Sequence, residues 1–255
     1  MSARRNPPRE VVVRFVRAEA FDDAVLAARA RNILAADERE ALARLRPVAA
    51  RRDYLAAHVL ARRMLAELAG SDPTQLRILS SPRGRPELVA PQGGSPLSFS
   101  ISHADGVGLC AVATGCAVGA DVESLRNVGP DPLGVAETVC STRERDALRA
   151  LPASARAERL LSIWTLKEAV AKARGLGFYL PLVHVTILPE GGGAPVVEFD
   201  PEVADDASRW RLAWLRLTPC HVAAVAVRAA RGDEVGIRFE EDLPDPTGSP
   251  ALRAG

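Results

Sequence analysis

Lysine is nearly absent from this chain. Among its 33 lysines and arginines only Lys167 and Lys172 are lysines, and both fall in one segment, Trp164-Thr165-Leu166-Lys167-Glu168-Ala169-Val170-Ala171-Lys172-Ala173-Arg174-Gly175. Arginine is a permanently charged planar fork, whereas lysine is a compact ammonium that can give up a proton. A chain so committed to arginine marks this segment as a place to look for chemistry. Cysteine is scarce too. Cys110, Cys116, Cys140 and Cys220 form no CxxC pair, which argues against a zinc site of the usual spacing and against a disulfide framework. Neither sign of charge dominates: a formal net charge of +1 offers no broad field for nucleic acid or an acidic membrane. Any anionic ligand must therefore be caught by a local cluster. Long apolar runs are missing as well. Val11-Val12-Val13 is cut by Arg14, too short for a signal sequence or a membrane span, so a cytoplasmic protein is expected.

What is present is 47% hydrophobic content over 255 residues, enough for one large or two small cores. Residues 1–9 and 240–255, polar or rich in Pro, Asp, Gly and Ser, read as disordered ends. Between them, helical periodicity runs from Phe21 to about Leu45. A second helix spans Arg51 to Leu68, with Tyr54, Ala57, His58, Ala61, Leu65 and Leu68 on one face before Gly70. Strands are expected at 76–79, 97–103, 107–114 and 118–123, with a turn at 81–86. Ser141 with Glu144 reads as a capping box, and a long helix covers about 155–174 and stops at Gly175. Further strands follow at 182–188, 196–199, 210–217 and 221–227, with a turn at 189–193. The order of helix, strand, turn and strands thus appears twice. It predicts an α+β fold of two similar halves, residues 10–117 and 118–239, related by a pseudo-two-fold axis. Each half is a small, mainly antiparallel sheet on a long helix, and a cleft between halves favours ligands.

Three constellations carry chemistry. In Val118-Gly119-Ala120-Asp121-Val122-Glu123, strand geometry sends Asp121 and Glu123 to one face. Two adjacent carboxylates repel unless a cation lies between them, and magnesium accepts such a pair together with phosphates and water. The plainer reading is a strand edge bearing solvated acids. On the lysine helix, Trp164, Glu168, Lys172 and Gly175 share one stripe, with Lys167 on a neighbouring flank. That stripe is either a solvated face or the acid and amine of a phosphoryl-transfer site. Phe99-Ser100-Ile101-Ser102-His103-Ala104-Asp105-Gly106 offers a hydroxyl and an imidazole to a phosphate. A Ser-His-Asp hydrolase is disfavoured, since no G-x-S-x-G elbow occurs and three residues of one turn do not make a triad.

Taken together with Gly84-Arg85-Pro86, these blocks resemble the 4'-phosphopantetheinyl transferases, in particular their large monomeric Sfp-like branch. The clear likeness spans about residues 84–181. It implies transfer of the phosphopantetheine arm of coenzyme A to a serine of an acyl or peptidyl carrier protein. By position it implies magnesium on Asp121, Glu123 and Glu168, with Glu168, directly or through a metal-bound water, taking the serine proton. Lys172 would serve the departing phosphate and Lys167 would steady the phosphates. Ser102 and His103 would touch phosphate at the adenosine end, Arg85 would replace a customary lysine, and Arg52, or its neighbour Arg51, would add a contact. The helix after Ser141, with Arg143, Arg145 and Arg149, is either a carrier dock or a solvated charged helix. Two other functions compete: a metal-dependent phosphohydrolase, and a non-catalytic module that binds coenzyme A or a carrier.

Overall fold

The computed structural model describes residues 9–21, 23–81, 85–89, 96–188 and 193–242. In the first half, β1 (Arg9–Arg17) leads into α1 (Asp23–Ile33), α2 (Ala36–Arg44) and the long α3 (Val48–Ala69). A hairpin of β2 (Ile78–Ser80) and β3 (Pro86–Leu88) and the pair β4 (Leu97–Ala104) and β5 (Val107–Thr114) complete it. The second half repeats this order with β6 (Ala117–Ser124), α4 (Pro132–Val139), α5 (Thr142–Ala150) and the long α6 (Ala153–Arg174). The hairpin of β7 (Val185–Leu188) and β8 (Val196–Phe199) and the pair β9 (Trp210–Thr218) and β10 (His221–Arg228) follow. Sheet order repeats as well: β1-β5-β4 in one half corresponds to β6-β10-β9 in the other, with antiparallel pairing throughout both triplets. The two α+β halves expected from the sequence are therefore present.

Their cores follow from the layering. Leu60, Met64 and Leu65 of α3 pack on Phe99 and Val112 of the first sheet. Leu166 and Val170 of α6 pack on Trp210, Leu212 and Ala224 of the second. Between the two sheets lie Val13, Leu109, Val118, Val122 and Val225, all essentially out of water. Each such side chain contributes about 1.5–3 kcal/mol by burial, and the shared inter-sheet core locks the halves together.

Several expectations need correcting. The end strand β11 (Val235–Glu241) lies in the stretch assigned to the second half, yet it pairs in parallel with β1 and so extends the first sheet. Arg9 and Glu240–Glu241, expected to be disordered, are strand residues for the same reason. Asp242 is also described, its N–H donating to the Phe15 carbonyl at 2.8 Å, whereas residues 1–8 and 243–255 of the expected disordered ends, residues 82–84 of the 81–86 turn and all but Gly193 of the 189–193 turn lie outside the described residues. The single periodic stretch from Phe21 is two helices, broken where the backbone N–H of Ala35 donates to Glu38 Oε2 at 2.8 Å. Strand β1 and helix α4 are additional elements.

One position in each half holds the elements around the site in place. At Gly119 a Cβ would stand 2.0 Å from the Ala169 carbonyl oxygen and 2.4 Å from the Ala173 nitrogen, so only glycine lets α6 lie directly on β6. At the β4–β5 turn, Asp105 and Gly106 both have positive φ, 44° and 91°, as a tight two-residue hairpin turn requires. The Asp53 carboxylate of α3 accepts the Gly106 N–H at 3.0 Å and pins that turn.

Candidate active site

From Leu160 to Ala173, helix α6 is buried at every position except Trp164, Glu168 and Lys172. These three recur every fourth residue, so one stripe of an otherwise enclosed helix opens to a cleft. Opposite it stands β6. Asp121 is buried, and its Oδ1 accepts hydrogen bonds from Ser102 Oγ of β4 at 2.8 Å and from Lys172 Nζ at 2.7 Å. Lys172 also donates to the Ala120 carbonyl at 3.1 Å. Three elements from both halves thus meet at one carboxylate. Its other oxygen, Oδ2, is buried and has no hydrogen-bond partner. A buried carboxylate oxygen left unpaired is costly unless a ligand completes it.

The neighbouring acids feel that charge. Burial, and then the Asp121 charge, push the Glu123 carboxyl up to about 7, with Lys172 partly opposing them. Burial and Asp121 also raise Glu168, again against Lys172. Two raised carboxyls beside the buried Asp121 make a place for a cation. Their oxygens do not converge as tightly as the sequence suggested. Among the described residues, the one trio of ligating groups with donor atoms all within 4.8 Å of one another is His184, Asp200 and Glu202 on the outer surface of the second half. At Asp121 the Lys172 ammonium occupies the Oδ1 side. The residues nonetheless fit magnesium, which needs one or two carboxylates and otherwise takes phosphate and water oxygens.

The other expected ligands are sorted differently. Lys167 is wholly buried, and its Nζ donates to Glu144 Oε2 at 2.5 Å, to the Val139 carbonyl at 2.7 Å and to the Leu182 carbonyl at 3.0 Å. It cannot steady a phosphate from there. Glu144 in turn closes the expected capping box with Ser141 and accepts the Ile187 N–H at 2.6 Å, so the pair ties α6 to α5 and β7. Arg85 commits its guanidinium to the Ala173 carbonyl, Ser98 Oγ and the Val118 carbonyl, bracing the end of α6 against β4 and β6. Arg52 turns away to Asp23 of α1, 2.5 Å from its Oδ1. His103 remains in the cleft, where burial and then the charge of His58 push its pKa down. Arg143, Arg145 and Arg149 of α5 are paired with Glu198, Glu137 and Asp146, which makes that helix a neutralised surface.

Tyr54 and His58 also line the cleft, with their rings stacked 3.8 Å apart. The sequence placed them on one face of α3 with Ala57 and Ala61, and their polar tips were the signal that this face changes character there. Glu38 was not legible as a cleft residue. The Ser-His-Asp reading fails on geometry as well: the Asp105 carboxylate is engaged by Ser124 and Arg126, whereas Ser102 bonds to Asp121.

A family profile for the 4'-phosphopantetheinyl transferase superfamily matches residues 117–226, which hold β6 and α6. The 4'-phosphopantetheinyl transferase HetI of Nostoc sp. (strain PCC 7120) is 33% identical over 181 residues, covering 69% of this chain and 71% of that protein. A phosphopantetheinyl transferase of Thraustochytrium sp. is 29% identical over 211 residues, covering 77% and 72%. Among solved structures, a holo-(acyl-carrier-protein) synthase from Bacillus anthracis in complex with coenzyme A (3',5'-ADP) aligns at 19% identity and a TM-score of 0.39, over 45% of this chain and 96% of that one. The chain belongs to the 4'-phosphopantetheinyl transferase superfamily.

Proposed function

We propose that the cleft at Asp121 is where this phosphopantetheinyl transferase moves the 4'-phosphopantetheine arm of coenzyme A to a serine of an acyl or peptidyl carrier protein. The observation that carries this reading is the buried, unpaired Oδ2 of Asp121, set between the Lys172 amine and the raised carboxyls of Glu123 and Glu168. Asp121 would hold magnesium through Oδ2, with Glu123 and Glu168 beside it. When bound, the ion supplies charge neutralisation on the coenzyme A pyrophosphate. Ser102 keeps Asp121 Oδ1 turned toward Lys172, and the His103 ring forms the cleft wall beyond it.

The carrier serine oxygen bonds to the β-phosphorus and the bridging P–O bond breaks, leaving adenosine 3',5'-bisphosphate. Glu168, whose carboxyl is raised above its ordinary pKa by burial and by Asp121, takes the serine proton, and Lys172 neutralises the departing phosphate. An apolar cavity of about 580 Å³ opens on the Glu123 side between α4 and α6, walled by Val128, Val135, Leu160, Leu161 and Trp164. Its volume and lining suit the arm. Both walls of the cleft come from one chain, so a monomer suffices, and no described helix is long and apolar enough to cross a membrane. Coenzyme A and carrier proteins as substrates support a cytoplasmic location.

Mass spectrometry of an apo carrier protein after incubation with this enzyme, coenzyme A and magnesium tests the reading. A mass gain equal to the arm, located on one serine, is the expected result. Release of bisphosphate by water in the absence of carrier, with no gain on the carrier, would instead identify a phosphohydrolase.

A further inference from the structure

A cavity of about 600 Å³ starts at Lys172 and runs outward between α2, α3 and β4. The inference drawn from it rests on the functional reading above. With the pyrophosphate at Lys172, the adenosine end of the co-substrate has this channel to occupy. Its inner wall is aromatic, with Tyr54 stacked on His58 and set edge-on to His103 at 6.0 Å and 74°. Such a wall suits a flat purine.

The outer wall is acidic. Asp37, Glu38 and Glu40 of α2 all line it. Arg44 lines it too, but its Nη2 is tied to Glu40 Oε1 at 2.7 Å. Glu38 is buried and fixed in place, with Oε2 accepting from Arg62 Nε at 2.7 Å and Oε1 2.9 Å from His58 Nδ1. Burial pushes its carboxyl up, yet the bonds from His58 and Arg62 outweigh that and hold it at about 2, so it is charged throughout the working range. His103, with its pKa pushed down by burial and by His58, offers a hydrogen bond without a charge. Among the described residues lining the channel, the two permanent cations are thus Lys172, at the pyrophosphate end, and Arg44, already paired.

We infer that this channel does not select for the 3'-phosphate on the ribose of coenzyme A. Its aromatic wall takes the adenine, and the carboxylates of α2 give a second phosphate group no favourable partner. The enzyme therefore uses the dephospho form of coenzyme A, which lacks that phosphate, nearly as well as coenzyme A itself.

The test compares kcat/KM for the two co-substrates with the full chain, magnesium and one apo carrier, read by mass gain on the carrier. A preference for coenzyme A below about fivefold is expected, since among the described residues lining the channel no unpaired cation other than Lys172 is set to hold the extra charge. A preference of about fivefold or more overturns this inference while leaving the transfer reading intact. Absence of transfer from either co-substrate overturns the transfer reading itself. The double substitution Asp37→Lys and Glu40→Lys, at exposed positions of α2, supplies a second measurement. It should move the ratio toward coenzyme A by about tenfold at low salt, with the gain fading as salt rises. An unmoved ratio would place the 3' end elsewhere and sink the proposal.

Discussion

Lys172 Nζ lies 2.7 Å from Asp121 Oδ1, a bond between a helix of the second half and a strand that runs across the junction with the first. It neutralises one side of a buried carboxylate and leaves the other side open. The same ammonium opposes the rise that burial and Asp121 impose on the carboxyls of Glu123 and Glu168, so it is coupled to both. Replacing Lys172 with methionine should raise the pH at which transfer reaches half its plateau, because both carboxyls then hold their protons longer. A pH–rate profile that keeps its acidic limb in place would contradict that coupling.

The raised carboxyl of Glu123 also has a stability consequence. Its folded pKa of about 7 exceeds the ordinary value of 4.5, so the folded state binds this proton more tightly than the unfolded chain does. Stability without magnesium should therefore fall as pH rises from about 4.5 through about 7. Glu123 is only partly buried, and the loss should amount to about 1–2 kcal/mol after allowance for solvent screening. Melting temperatures between pH 5 and 8, with and without magnesium, check this. The slope should flatten in a Glu123→Gln variant and when magnesium is added.

Gly119→Ala should be among the most damaging single substitutions. The added methyl meets backbone atoms of Ala169 and Ala173, which cannot turn aside as a side chain can. Moving α6 off β6 should cost about 3 kcal/mol or more and carry Glu168 and Lys172 away from Asp121. Denaturant melts and transfer rates measured together should both fall. A variant of normal stability would show that α6 does not rest on β6 as described.

Lys167 provides the contrast. Lys167→Ala leaves the buried Glu144 charge unpaired, and a loss of about 3–5 kcal/mol is expected. The protein that remains folded should bind coenzyme A with KM changed by less than about threefold. A large rise in KM with normal stability would restore the phosphate-contact role that its burial rules out here.

These contrasts show which parts of the site were legible in the sequence. Trp164, Glu168 and Lys172 were readable because a four-residue spacing fixes a helix face whatever the surroundings. Lys167 was misplaced because its adjacent position shows only that it lies on another face, and the buried Glu144 that claims it comes from α5. Arg85 and Arg52 carried the right charge for a phosphate, but their partners, the end of α6 and Asp23 of α1, are set by tertiary packing. The repeat of helix and strands gave the two halves. Strand β1 escaped because it is covered on both faces, with Val11, Val13 and Phe15 toward the inter-sheet core and Val12 and Val16 toward α3, so no alternation marks it. Strand β11 escaped because its partner lies at the opposite end of the chain.

The most direct test of the proposed centre is the rate of carrier loading by Glu168→Gln at saturating coenzyme A and magnesium. The substitution keeps the size of the side chain and removes its capacity to take a proton, so transfer should fall by about 100-fold or more while the melting temperature holds. Loading of the apo carrier at the unsubstituted rate would contradict the role assigned to Glu168 and the reading of the cleft built on it.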